Sequence, residues 1–84
     1  MKPIRLSVHA RGYLHNRDFT LAEVEDAIHT SIWRPADQGR LECRKDFPFG
    51  ADWNGTVYAT KRIRPIFVET ATAIVVVTVY TYYC

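Results

Sequence analysis

The chain contains 84 residues, 48% of them hydrophobic and 24% charged, which suits one small domain and leaves no room for a second core. Its formal net charge of +2 is too small to indicate a nucleic-acid partner by itself. Residues 1–6 lack the apolar run of a secretory signal, and the longest apolar segment covers about half a membrane span. We therefore expect a soluble cytoplasmic protein with no membrane partner.

The first predicted elements are a short strand and a helix. Residues 4–6 are apolar enough for a brief strand. Ser7 then suits the N-cap of a helix from Val8 to Asn16, because its hydroxyl can accept from a free amide of the first turn. The expected inward side chains of this helix are Val8, Tyr13 and Leu14.

The second helix has the clearest local signature in the chain. Thr20 and Glu23 form a capping box, in which each side chain bonds a free amide at the helix start. Phe19 and Val24 fit the hydrophobic staple around that cap. Pro35 ends any continuation of the helix. Apolar residues recur at spacings of three and four and predict one buried stripe, formed by Leu21, Val24, Ile28 and Ile32.

After the second helix, the pattern changes to the alternation that is typical of strands. One strand begins at Gly39-Arg40 and ends before a long turn over residues 48–55, where Asn54-Gly55 is the strongest turn signal. A second strand follows at 56–62. Arg64-Pro65 indicates a turn or an edge position, because proline cannot donate to a ladder.

Two more strands, at residues 66–68 and 73–83, complete the pattern. Helices that precede consecutive strands are typical of α+β proteins, in which the helices cover one side of the sheet. The predicted fold is therefore two N-terminal helices packed on one face of an antiparallel sheet of about four strands.

Side-chain alternation assigns the strand residues to two faces. In the last strand Ala73, Val75, Val77 and Val79 form an apolar row, which we expect beneath the helices. The opposite face then gathers guanidinium groups, phenols and a carboxylate. Its predicted members are Arg40, Glu42, Arg44, Tyr58, Thr60, Arg62, Tyr80 and Tyr82.

The sequence contains no strong catalytic motif, such as a phosphate loop, a zinc-binding helix or a paired Cys-x-x-Cys. Cys43 and Cys84 therefore have structural or incidental roles, and His9 and His15 are spaced wrongly for a metal pair. We expect no metal and no cofactor. His9 falls in the first turn of the first helix, where the helix dipole favours a neutral imidazole that either accepts a proton or only packs locally.

Short motifs occur at the start, after the first helix and near the end of the chain. They are Ser7-Val8-His9-Ala10, residues 17–28 and Val75–Tyr80. In order and spacing they resemble a family of small bacterial proteins catalogued as domain of unknown function 4258, which typically shows His-Ala, an Arg-Gly-Ile-Ser helix start and a closing Thr-Val-Tyr. This family is grouped with the RelE-like and BrnT-like toxins, so the resemblance implies helices followed by an antiparallel sheet and cleavage of RNA without a metal.

The polar positions that match the family are His9, Arg17 and Tyr80. The chain departs from it at Tyr13, where members often have arginine, and at Asp18, which replaces the usual glycine. The resemblance implies RNA and an antitoxin-like protein as partners.

Metal-free RNA cleavage needs a base for the 2′-hydroxyl, cations for the phosphate and an acid for the leaving oxygen. For these roles the resemblance and the predicted face together give a catalytic set of His9, Arg17, Glu42, Arg44 and Tyr80. The same face adds an RNA-binding set of Arg40, Tyr58, Arg62 and Tyr82. His9 and Glu42 are alternative bases.

A different class of function is compatible with the same sequence. A non-catalytic interaction module would bind a protein through the exposed sheet face or through the predicted loop at 48–55. Phe47, Phe49 and Trp53 favour this alternative, because exposed aromatic side chains often anchor protein interfaces.

Overall fold

The structure is a computed structural model that describes residues 2–14 and 16–84. These residues form two helices and six strands that share one sheet. In chain order the elements are β1 (Ile4–Leu6), α1 (Val8–Gly12), α2 (Leu21–Thr30), β2 (Arg34–Pro35), β3 (Leu41–Glu42), β4 (Lys45–Trp53), β5 (Thr56–Glu69) and β6 (Ile74–Tyr83).

The sheet is mixed rather than a simple meander. Its strands lie in the order β1-β6-β5-β3-β2, and β4 pairs with the same side of β5 as β3 does. β1 runs parallel to β6, and the other pairs are antiparallel. The mixed α and β composition was predicted, but the sheet has six strands instead of about four and is not wholly antiparallel. The predicted strand that begins at Gly39-Arg40 is divided into β3 and β4, and the predicted strands at 56–62 and 66–68 are the single strand β5. The short strand β2 was not predicted.

The helix α2 begins as predicted. The Thr20 side chain accepts from the amide of Glu23, whose carboxylate in turn accepts from the amide of Thr20, so the capping box is complete. Val24 and Ile28 are buried in the core, and Ala27 joins them. Of the remaining predicted stripe residues, Leu21 is partly exposed and Ile32 is 80% exposed, because the helix ends at Thr30 before Ile32 could face the sheet.

The helix α1 is shorter than predicted. Ser7 caps it by accepting from the amide of Ala10, but the helix ends at Gly12. The prediction of Val8 as an inward residue is wrong, because Val8 is 88% exposed and Ala10 is buried instead. The predicted extension to Asn16 runs through His15, which lies outside the described residues.

The strand β5 continues through Pro65, where the sequence predicted a turn or an edge. Pro65 is buried in the middle of the sheet, opposite Val79 of β6. On the other side of β5, pairing with β4 ends at Ile63 and pairing with β3 begins at Ile66, so no ladder bond is required of residue 65 there. The Pro65 carbonyl accepts from the amide of Cys43 across this gap, and the missing N–H is harmless.

The predicted face assignment of β6 is wrong in its first half. Phe67 lies opposite Val76, but Ile66 lies opposite Thr78, so β6 contains one additional residue at Val77. Such a bulge reverses the alternation of side chains along the strand. The core therefore contains Ile74 and Val76 rather than Val75. Beyond the bulge the prediction is correct, because Val79 is buried and Tyr80 and Tyr82 are exposed.

The segment at 48–55 is mostly strand rather than a long loop. The strand β4 extends to Trp53, and only Asn54 and Gly55 form the turn, with φ angles of 54° and 83°. This is the two-residue hairpin that an Asn-Gly pair favours. The aromatic side chains of this hairpin pack with Tyr83 in a cluster that also contains Phe49, Trp53 and Tyr58.

Candidate nucleic-acid interface

The two faces of the sheet are distinguished by α2. One face, here called the α2-facing side, carries Lys45 and Lys61, which bind Asp26 and Glu23 of α2. The opposite face, here called the open face, carries alternate residues of β5 and their partners in β6. Directly opposed pairs on the open face are Arg62 with Tyr82, Arg64 with Tyr80, and Ile66 with Thr78.

Two arginines of the open face are held by carboxylates of neighbouring strands. Arg62 donates from Nε and Nη2 to the two oxygens of Asp46 at 2.7 and 3.1 Å. Arg64 donates from Nε and Nη2 to Glu42. Both pairs use the Nε and Nη2 edge of the guanidinium plane, so the Nη1 donors take no part in these ion pairs.

The ion pairs also shift the pKa values of their members. The hydrogen bond from Arg62 lowers the pKa of the Asp46 carboxyl below its usual value. Glu42, followed by the Tyr82 phenol, raises the pKa of Arg64. Arg40 and Arg44 form no ion pair within residues 2–14 and 16–84. The open face therefore carries more arginines than carboxylates. The arginines are Arg40, Arg44, Arg62 and Arg64, and the carboxylates are Asp37, Glu42 and Asp46.

Aromatic rings and guanidinium groups alternate in an unbroken row, here called the arginine–tyrosine ladder, formed by Tyr13, Arg17, Tyr80 and Arg64. Arg17 lies 4.0 Å from the centroid of the Tyr13 ring and 4.8 Å from that of Tyr80. Arg64 approaches the Tyr80 ring at 5.6 Å. Stacked rings and planar cations of this kind offer surfaces on which unpaired bases can stack.

Arg17 also forms hydrogen bonds along the part of the β6 edge that β1 leaves uncovered. β1 covers β6 only from Ile74 to Val76, and beyond that point Arg17 donates from Nη1 to the Thr78 hydroxyl at 3.1 Å and to the Val79 carbonyl at 3.0 Å. The guanidinium is therefore fixed in place before any ligand arrives. It is better suited to orienting Tyr80 than to moving onto a phosphate.

Two adjacent depressions on the open face share Arg64. The first is a groove of about 600 Å³ between β6 and the hairpin of β2 and β3, with Ile66 and Thr78 among its lining residues. Its polar walls are formed by Asp37, Gln38, Arg40, Glu42, Arg64 and Tyr80. The second depression, of about 310 Å³, is lined only by Arg44, Arg62, Arg64 and Tyr82. The first suits a base with its sugar, and the second suits a phosphate.

The structure brings together most of the predicted site residues but not all of them. Arg40, Glu42, Arg44, Arg62, Tyr80 and Tyr82 line the two depressions. His9 is exposed on α1 and contacts Tyr13 edge-on at 4.7 Å, so the ladder separates it from the groove. Tyr58 lies in the aromatic cluster with Trp53 and Tyr83 and lines neither depression.

Sequence reasoning missed Arg64 and the hairpin of β2 and β3. Arg64 was assigned to a turn because Pro65 follows it. The hairpin turns at Gln38 and Gly39, which both have positive φ angles. The backbone amide of Arg40 donates to the Asp37 carbonyl. Gln-Gly is a weaker turn signal than Asn-Gly. Two signals in the sequence could have indicated these features. Pro65 lies inside a pattern that otherwise alternates, and Gly39 lies two residues before the next strand.

The cysteines and the remaining ligand types lie outside this site. Burial, followed by the charge of Glu42, raises the pKa of the Cys43 thiol to about 11, whereas Cys84 is exposed. In the described part of the chain, no three His, Cys, Asp or Glu side chains converge as a metal site would require.

Neither helix of these residues has the length and apolar character needed to cross a membrane. No protein-family model, curated protein or solved structure matches the chain.

Proposed function

We propose that the open face binds single-stranded RNA, with bases stacked on the arginine–tyrosine ladder and a phosphate held by Arg44, Arg62 and Arg64. The observation that carries the proposal is the ladder itself, in which Arg17 and Arg64 both approach the ring of the exposed Tyr80. Exposed aromatic side chains beside cations on a sheet are a common way to hold unpaired RNA.

The proposal extends to cleavage of the bound RNA without a metal, as RelE-like toxins perform it. Glu42 is favoured over His9 as the base, because the Glu42 carboxylate lies in the groove beside Arg64 and Tyr80. Glu42 would take the proton of a 2′-hydroxyl whose oxygen then bonds to phosphorus. The bond to the 5′-oxygen breaks, and that oxygen receives the Tyr80 proton, which leaves a 2′,3′-cyclic phosphate and a 5′-hydroxyl.

Two further observations support a relationship with the family of small bacterial proteins that the sequence resembles. Asp18 has a φ angle of 52°, the left-handed region that glycine adopts most readily, and the family usually has glycine at this position. The buried residues of both helices share one core with β5 and β6, and the family likewise combines helices with a sheet.

Binding is tested with a fluorescent single-stranded RNA oligonucleotide and anisotropy in EDTA. Tyr80→Ala should weaken binding about tenfold, since base stacking contributes about 1–3 kcal/mol per base. Tyr58→Ala is the matched control and should stay within about twofold, because Tyr58 lines neither depression. Equal effects of the two variants, or an affinity that does not fall with salt, would contradict the proposal.

Cleavage is tested separately, by incubating RNA with excess protein in EDTA and identifying the product ends. Glu42→Gln should abolish the cyclic phosphate, whereas His9→Ala should retain it. Intact RNA with the unmodified protein would limit the function to binding.

The alternative of a protein-interaction module uses the hairpin of β4 and β5, where Trp53 and Val57 are exposed. Such an apolar interface would respond little to salt, so the salt titration separates it from RNA binding.

A further inference from the structure

The groove beside Tyr80 contains two opposite charges that are not paired with each other. Asp37 and Arg40 flank the Gln38-Gly39 turn, and both side chains line the groove. Neither residue forms an ion pair in the described part of the chain. A carboxylate and a guanidinium thus both line a depression that is large enough for a nucleotide.

The two groups have complementary hydrogen-bonding roles. A carboxylate only accepts hydrogen bonds, and a guanidinium only donates them. The register of the hairpin places Ala36 opposite Arg40, and Asp37 begins the loop between them. The Arg40 amide donates to the Asp37 carbonyl at 3.3 Å, so the two residues belong to one turn and their side chains can reach the same ligand. A ligand that satisfies both must carry adjacent donors and adjacent acceptors.

Guanine fits this requirement better than the other RNA bases. Its N1–H and N2–H2 groups are neighbouring donors, and its O6 and N7 atoms are neighbouring acceptors that arginine commonly reads. Adenine has no donor on its ring nitrogens, and uracil has only one donor. Cytosine offers a single amino group next to its acceptors, which leaves one carboxylate oxygen without a partner.

The rest of the groove is arranged for a nucleotide of this kind. Tyr80 provides a ring on which the base can stack, and Ile66, only 7% exposed, provides an apolar surface. Arg64 also lines the neighbouring arginine pocket, so a phosphate attached to the bound guanosine has a cationic site within reach.

We propose that the groove of the β2–β3 hairpin selects guanine, with Asp37 accepting from N1–H and N2–H2 and Arg40 donating to O6 and N7. This inference rests on the proposed RNA binding and makes Asp37 and Arg40 its specificity-determining residues. The ligand class is therefore single-stranded RNA with a guanosine at the position stacked on Tyr80.

The test compares uridine oligonucleotides that carry one central guanosine, inosine, adenosine or cytidine, measured by anisotropy. The unmodified protein should bind the guanosine oligonucleotide about tenfold more tightly than the adenosine one, and inosine should be intermediate because it lacks the N2 amino group. Asp37→Asn and Arg40→Gln should each remove the preference. Glu25→Gln, an acid removed elsewhere on the surface, should keep it.

A second measurement separates this inference from RNA binding as such. The amide signals of residues 36–40 are followed by NMR while guanosine or cytidine monophosphate is added, and only the guanosine nucleotide should shift them. Equal binding of all four oligonucleotides, or a preference that survives Asp37→Asn, overturns guanine selection and leaves RNA binding standing. Shifts with guanosine monophosphate but no binding of any oligonucleotide support the groove and overturn the proposed RNA function.

Discussion

Both faces of the sheet carry cations that are paired with carboxylates, but the pairs on the two faces connect different elements. On the α2-facing side Lys45 and Lys61 bind Asp26 and Glu23 of the helix at 2.9 and 3.2 Å. On the open face the cations are arginines, and their carboxylates come from β3 and β4 in the same sheet. The lysine pairs join two layers, whereas the arginine pairs lie within one layer.

This difference separates stability from recognition. A lysine ammonium is a compact charge that is satisfied by one or two acceptors, so the lysines of the α2-facing side are occupied by the helix. A guanidinium is a planar fork with donors on two edges, so a carboxylate on one edge fixes its plane and leaves the other edge free. Changes on the α2-facing side should therefore affect folding, and changes on the open face should affect ligand binding.

The largest expected effect is on folding, and it comes from the α2-facing side. Phe67 is fully buried, opposite Val76 and in contact with Trp33. Phe67→Ala should lower the free energy of unfolding by about 3–5 kcal/mol, because it removes a buried ring and leaves a cavity. Urea unfolding measures the change. Tyr80→Ala is the control on the open face, and a loss of similar size there would contradict the proposed division between the faces.

The next effect is on binding and depends on the shape of the cation. Arg64→Lys keeps the charge but removes the second donor edge, so RNA affinity should fall about tenfold, the equivalent of one charge-assisted hydrogen bond. Lys45→Arg is the reciprocal change on the α2-facing side and should leave affinity unchanged. An unaffected Arg64→Lys variant would mean that the open face supplies charge alone.

The smallest expected effect is a pH dependence of stability from the α2-facing side. Burial, followed by the hydrogen bond to Asp18, raises the pKa of the Tyr83 phenol. A group with a raised pKa in the folded state stabilises the fold below its ordinary pKa of about 10 and loses this contribution as the pH rises through the folded value. Ultraviolet titration should therefore show one of the five tyrosines ionising late, and Tyr83→Phe should remove that step.

The elements that were predicted correctly are those whose signals are local. The capping box at Thr20 and the turn at Asn54-Gly55 each depend on a few neighbouring residues. Alternation also predicted the exposed positions of Tyr80 and Tyr82, because both lie in the regular part of β6 beyond the bulge. These parts of the fold needed no information about which strands are paired.

The features that were missed depend on pairing between distant segments. Pro65 can occupy a central strand only because β3 and β4 leave a gap opposite it. Arg64 belongs to the site for the same reason, because the strand continues past it. The face of Ile74 and Val76 depends on the register between β5 and β6, which the residues of β6 alone do not specify. The position of Tyr58 depends on how the hairpin packs against Tyr83.

The bulge at Val77 makes β6 respond differently to changes of length at different positions. Deleting Val77 alone would restore continuous alternation, with Ile74 and Val76 still in the core and Tyr80 and Tyr82 still on the open face. Inserting one residue between Tyr80 and Tyr82 would instead turn one of these phenols towards α2, unless a second bulge formed. The strand should therefore tolerate the loss of Val77 better than an insertion between the two tyrosines.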